Sequence, residues 1–260
     1  LENATELSTD VNLDGLVANH ERTIEYDDAP ARRMSRDFEF PEIGNQRGVW
    51  VVEFIGGGRS SRAVIRKGKL DVLTRTVSNG LMVTVLDEKH RPLTNAAVRF
   101  GGRRTTCDEQ GRALIPFSNE PGKRAMVVED TSGFASLAPF SHPMENHNLN
   151  AGFHIESEAL RPGALATIAV RPMLTVAGRP ISLTRLSDVR LVLTATDLDA
   201  IKTTTTIKDF KIASDREATH EFRVPNRLKG LTAQLRAKLQ VASKGGKEIE
   251  LGARHAFSVN

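Results

Sequence analysis

A single cysteine, Cys107, stands in a chain of 260 residues, so no disulfide can form within it and its stability must come from packing. The same scarcity leaves the redox compartment open. Aromatic residues are few, one Trp, one Tyr and 5% in total, which argues against the stacking platforms used to hold single-stranded nucleic acid or sugar. An excess of one charge is also missing. With 36 basic and 32 acidic residues the formal charge is +4, a mixed and solvated surface rather than a polyanion-binding one, and no nucleic-acid partner is expected. No stretch approaches the roughly 20 apolar residues of a membrane-spanning helix. The chain opens at Leu1 without a methionine or a signal-like run, so any secretion signal is expected to lie upstream or to have been removed. No nucleophile elbow, Walker loop, zinc-protease helix or paired-carboxylate framework is present, and no enzyme is expected.

What the sequence does contain is alternation. Leu231, Ala233, Leu235, Ala237, Leu239 and Val241 alternate strictly with Thr232, Gln234, Arg236, Lys238 and Gln240. Leu, Ala and Lys favour helices, but a helix would scatter these apolar positions around its surface, so the period of two predicts a strand. Ile249, Leu251, Ala253, Phe257 and Val259 repeat the pattern after Lys244-Gly245-Gly246-Lys247, which predicts a long hairpin with His255 packed or at the rim. Upstream, Val189 to Thr194, Thr203 to Ile207 and Phe222 to Val224 read as further strands around a turn at Asp197-Leu198-Asp199. The middle of the chain reads as strands at Leu81–Leu86, Ala96–Phe100 and Ala113–Ile115, separated by turns at Asp87–Arg91 and Thr105–Gly111.

These elements predict an all-β chain of tandem antiparallel sandwiches. A length of 260 residues fits two or three compact units of about 100 to 200 residues or fewer. The expected division is an N-terminal β region over 1–78, read as an incomplete sandwich, a small sandwich over 79–150, and a larger one over 151–260. In the first region Val49–Ile55 and Arg62–Ile65 form a hairpin around Gly56–Ser61; both arms are apolar on both faces, which predicts burial on both sides.

Four short runs carry a family resemblance: Leu160-Arg161-Pro162-Gly163, Gly178-Arg179-Pro180-Ile181, Asp188-Val189-Arg190-Leu191 and His220-Glu221-Phe222-Arg223-Val224-Pro225. Together they resemble a macroglobulin domain of the alpha-2-macroglobulin family. The middle segment is similarly like a prealbumin-like or carboxypeptidase-regulatory-like sandwich. The resemblance covers roughly residues 75 to 260. It implies immunoglobulin-like topology, membership of a long string of domains whose partners are other domains of the parent or another protein, and an extracellular or periplasmic location.

Several residues invite a chemical reading. Cys107-Asp108-Glu109-Gln110 imitates the cysteine-glycine-glutamate-glutamine run of that family's thioester, but Asp108 replaces the glycine, and Thr105, Thr106 and Gly111 fit a turn instead. Asp10, Asn12, Asp14, Gly15, Val17 and Glu21 match a calcium-binding EF-hand loop, in which short carboxylates and a closing glutamate hold a hard cation. Such a loop needs flanking helices, and Arg22–Tyr26 reads as a strand. His142, Glu145, His147 and His154 have side chains able to hold a transition metal, in what reads as a polar connector from Ser141 to Asn150. The basic run Arg59, Arg62, Arg66, Lys67 and Lys69 reads as a charged edge that discourages sheet-to-sheet association. No catalytic, cofactor or metal site is assigned. The expected function is a structural and protein-interaction module, with a calcium-stiffened ligand-binding or adhesion module as the alternative.

Overall fold

The computed structural model describes residues 3–7, 12–27, 29 and 33–258, the first group by backbone alone. Among these residues all regular structure is strand or short 3-10 turn. Three antiparallel groupings follow one another along the chain. The first is a three-stranded sheet in the order β1-β3-β2, from β1 (Asn3–Leu7), β2 (Gly48–Gly56) and β3 (Arg59–Lys67).

The second grouping faces two sheets across one core. One sheet is β4-β5-β8, from β4 (Asp71–Val77), β5 (Gly80–Leu86) and β8 (Arg112–Pro116). The other is β10-β9-β6-β7, from β6 (Ala97–Phe100), β7 (Arg103–Thr106), β9 (Gly122–Glu129) and β10 (Ala135–His142). Val83 and Val85 of the first sheet and Val98, Met126 and Val128 of the second are almost fully buried. Leu70 belongs to this core, so the middle sandwich draws in β4, which lies upstream of Gly80.

The third grouping is larger. β11 (His147–Ile155), β12 (Leu165–Val176), β13 (Arg179–Ile181) and β16 (Ala218–Arg223) form one sheet. β14 (Ser187–Asp197), β15 (Lys202–Ile207), β17 (Leu228–Val241) and β18 (Lys247–Ser258) form the other, in the order β15-β14-β17-β18. The alternation that predicts β17 decides its orientation: Leu231, Ala233, Leu235, Ala237, Leu239 and Val241 are all at most 3% exposed. Burying each of the leucines is worth about 2 kcal/mol, which outweighs the weak helix preference of the same residues. The opposite face carries Arg190, Arg236, Lys238, Asp188, Glu248 and Glu250 in a chain of ion pairs. The second and third cores share no residue.

One turn recurs four times. Oδ1 of Asp87 accepts from the amides of Lys89 and Arg91, Asp108 from those of Gln110 and Arg112, Asp130 from those of Ser132 and Phe134, and Asp197 from those of Asp199 and Ile201. In each, the fourth residue has positive φ: His90 (58°), Gly111 (70°), Gly133 (87°) and Ala200 (63°). A short carboxylate that holds the amides two and four residues on is why aspartate starts each loop. These bonds pull the Asp87 carboxyl down to about 2, through the amides and guanidinium of Arg91 first and the amide of Lys89 after them.

Three expectations need correction. The hairpin of β2 and β3 is not buried on both faces: Ile55 is 78% and Val49 61% exposed, and the loop is the tight Gly57-Gly58 rather than six residues. Trp50 and Val52 are half-buried on one face, and no described element covers the other. Arg22–Tyr26 forms no strand. The expected connector from Ser141 to Asn150 is mostly strand, since β10 runs to His142 and β11 starts at His147.

Candidate interaction sites

The junctions between the three groupings are built from specific side chains. Arg47, just before β2, reaches the middle sandwich, where it donates to Glu88 and, at 2.7 Å, to Asp130, and lies over the Phe134 ring with 5.2 Å to its centroid. Asp130 thus closes its own turn and anchors the preceding segment. At the second junction, Glu145 accepts a hydrogen bond from the Ser243 amide at 2.7 Å, which ties the connector to the β17–β18 loop. Burial pushes the Glu145 carboxyl up, but the Ser243 bonds and the nearby His147 outweigh it and hold it below the ordinary carboxylate range.

His142 and His147 flank this connector and are 2% and 7% exposed. The His142 ring lies 5.2 Å from that of Phe100 and 5.9 Å from that of Phe140, so the imidazole fills an aromatic slot at the end of the middle core. Neither ring nitrogen of either histidine has a hydrogen-bond partner among the described residues. His147 Nε2 approaches Glu145 Oε1 to 3.7 Å, within ion-pair reach but beyond a hydrogen bond. Burial lowers the basicity of both imidazoles, aided by Arg124 at His142, while at His147 Glu145 opposes it and Arg185 adds to it.

The fourth member of the expected cluster, His154, points elsewhere: it is exposed on β11 beside Glu156 at 3.3 Å. Among the described residues no group of three or more His, Cys, Asp or Glu is arranged to hold a metal. Of the calcium-loop residues, Asp10 lies outside the described residues. Asn12 accepts from the Asp14 amide at 2.8 Å in a local turn, Gly15 has φ of 78°, and Glu21 is exposed; no helix flanks them among the described residues.

Cys107-Asp108-Glu109-Gln110 is one of the four aspartate turns. The Gln110 side chain accepts from Arg112 at 2.7 Å, and Cys107 is buried in the middle core. Burial, helped by Asp108, pushes its thiol up to about 11. Because the thiolate is the reactive form, Cys107 will not react with an aromatic disulfide reagent at about pH 8 in the native chain and will react fully in denaturant. Rapid stoichiometric labelling of the native chain contradicts this placement.

The basic run does not form one stripe. Arg62 and Arg66 share a face of β3, with Arg62 bonded to Glu53 at 2.7 Å, whereas Lys67 lies on the other face and donates to the Gly44 carbonyl. Lys69 pairs with Asp71 at 3.0 Å. His255 is an exposed rim residue whose ring centroid is 4.6 Å from that of Phe257. The resemblance motifs meet in space, since the Gly163 amide donates to the Val224 carbonyl and the Val224 amide to the Ala164 carbonyl, both at 2.9 Å. No helix among the described residues is long and apolar enough to cross a membrane.

Two family models match the chain, the AbpF third immunoglobulin-like domain over residues 156–260 and the AbpF first immunoglobulin-like domain over residues 1–68. The macroglobulin resemblance is thereby narrowed to the sandwich fold, which is immunoglobulin-like. "Actin-binding protein F" of Dictyostelium discoideum is 29% identical over 262 residues, covering 98% of this chain and 11% of that protein. The chain therefore spans about a tenth of its relative's length. A solved tetra-tandem repeat from the extending region of a large adhesion protein matches 80% of this chain and 56% of its own at 13% identity, with a TM-score of 0.25. The Yersinia pseudotuberculosis adhesin InvE matches 71% of this chain and 58% of its own at 12% identity, with a TM-score of 0.21. At such scores neither structure bears on function.

Proposed function

We propose that this chain is a run of three immunoglobulin-like domains within a longer protein, acting as a non-catalytic structural and interaction module whose partner is actin. The observation that carries the reading is the likeness to Actin-binding protein F, spread over 98% of the chain, with first-domain and third-domain matches at its two ends in that order. The segment between residue 68 and β11 then has the place of the second domain. The pairing of β4 with β5 and the burial of Leu70 favour a first boundary near residue 68, and the start of β11 at His147 favours a second near residue 146. The Arg47 clasp and the Glu145–Ser243 bond suit a spacer that holds successive domains at defined positions.

Co-sedimentation with actin filaments tests the partner. The fraction of chain in the pellet is expected to rise with filament concentration and to saturate. A chain that stays in the supernatant at every filament concentration removes actin from the reading.

A further inference from the structure

The middle sandwich is closed along one side and open along the other. β7 and β8 belong to different sheets and are the terminal strands of both, in the orders β10-β9-β6-β7 and β4-β5-β8. The Asp108 turn joins them, so they are adjacent at that end and the chain changes sheets there. Away from the turn, a cleft of about 260 Å³ opens between them. Its walls include Val98 and Ile115 of the core, Phe100 packed against that core, and the half-buried Thr105 and Phe117. At the mouth, Gly101 and Gly102 turn with φ of 55° and 74°, and a Cβ on either would meet nothing within 4 Å.

The lip is positively charged. Arg103 lines the cleft, is exposed, and its side chain makes no hydrogen bond or ion pair among the described residues. Arg99 and Arg104 lie on the opposite face of the same strands, where they share the Glu129 carboxylate at 2.9 and 3.7 Å, so that acid is not available to Arg103. Arg103 is thus the one charged residue lining the cleft, and no residue lining it is acidic. A terminal strand also leaves one row of backbone amides and carbonyls without strand partners, which can pair with an added extended segment.

We infer that the β7–β8 cleft is a docking site for an extended acidic peptide, which places an apolar side chain between Phe100 and Phe117 and a carboxylate on Arg103. Main-chain pairing along the terminal strand supplies the affinity, the cleft selects the apolar residue, and Arg103 sets the sign of its neighbour. The site does not depend on actin.

The test uses the full chain, labelled with nitrogen-15, and two capped pentapeptides, Glu-Val-Phe-Val-Glu and Lys-Val-Phe-Val-Lys. The acidic peptide is expected to shift the amide signals of residues 98–105 and 115–118 and to bind more tightly than the basic one. Arg103→Glu, at an exposed and unpartnered position, is expected to fold normally, to weaken the acidic peptide about fivefold and to reverse the preference. Absence of shifts with the acidic peptide at millimolar concentration overturns the inference. So do equal affinities for the two peptides, or shifts confined to other strand edges such as β15 or β18. Actin is absent from the experiment, so its outcome is separate from that of co-sedimentation.

Discussion

As the pH falls below about 6.5, the native chain is expected to lose stability at up to about 1.4 kcal/mol per pH unit for each of two buried imidazoles, His142 and His147. Both have folded-state basicity lowered below the ordinary value of 6.5, chiefly by burial. The unfolded chain therefore takes up protons first. Stability is complete above the unfolded value and is lost as the pH drops through it, until the folded-state groups titrate in turn. The charged groups felt at these rings are Arg124 at His142, and Glu145 and Arg185 at His147; only the carboxylate favours the proton, and it does not outweigh burial and the arginine. The lowered carboxyls of Asp87 and Glu145 contribute at lower pH, beneath their ordinary values of 3.8 and 4.5. Urea midpoints measured across this range should fall for the natural chain and remain flat for a variant carrying His142→Phe and His147→Phe. Parallel curves for the two proteins would show that the junction histidines are not the sensitive groups.

Leu235→Ala should remove about 2 to 5 kcal/mol from the third sandwich and leave the second nearly unchanged. Leu235 is wholly buried at the centre of β17, where it faces Leu191 of β14 across the strand pair and has no route for solvent to fill the void. The two cores are composed of different residues, so a cavity in one has little means of reaching the other. Hydrogen exchange read by mass spectrometry in increasing urea resolves the segments. Residues 147–258 are expected to open at lower urea in the variant, and residues 71–142 at the original concentration. A common shift in both segments would mean that the sandwiches unfold as one cooperative unit.

The parts of this fold legible in the sequence are those where one face of a strand is apolar without interruption. β17 and β5 show this directly, and so does the aspartate-glycine chemistry of the 105–111 turn. The junction was obscured by its residue types. His147, Leu149, Ala151, Phe153 and Ile155 occupy one face of β11, but their neighbours Asn148, Asn150 and Gly152 are turn-formers, and a histidine in the first slot looks polar. Only the aromatic surroundings of His142, brought in from β6 and from its own strand, explain why an imidazole is buried there. The exposed hairpin failed for the opposite reason. Apolar residues on both faces of β2 and β3 predict a cover, and the sequence of a strand cannot state whether a neighbour supplies it. The cleft beside Arg103 had no linear signature, because its walls come from strands of two sheets and its charge from an arginine left without an acid.

The repeated aspartate turn also bears on the order in which the chain assembles. Each closes within five residues, so its hydrogen bonds form at almost no cost in loop entropy and independently of the opposite sheet. Two of the four close hairpins, Asp130 between β9 and β10 and Asp197 between β14 and β15, whereas Asp108 carries the chain from β7 to β8 in the other sheet. Such hairpins form in about 1 to 10 μs, well before distant strands such as β12 and β16 can meet. The nascent chain would then carry preformed ribbons from each sandwich, and the slow step would be the docking of ribbon on ribbon rather than the search for register.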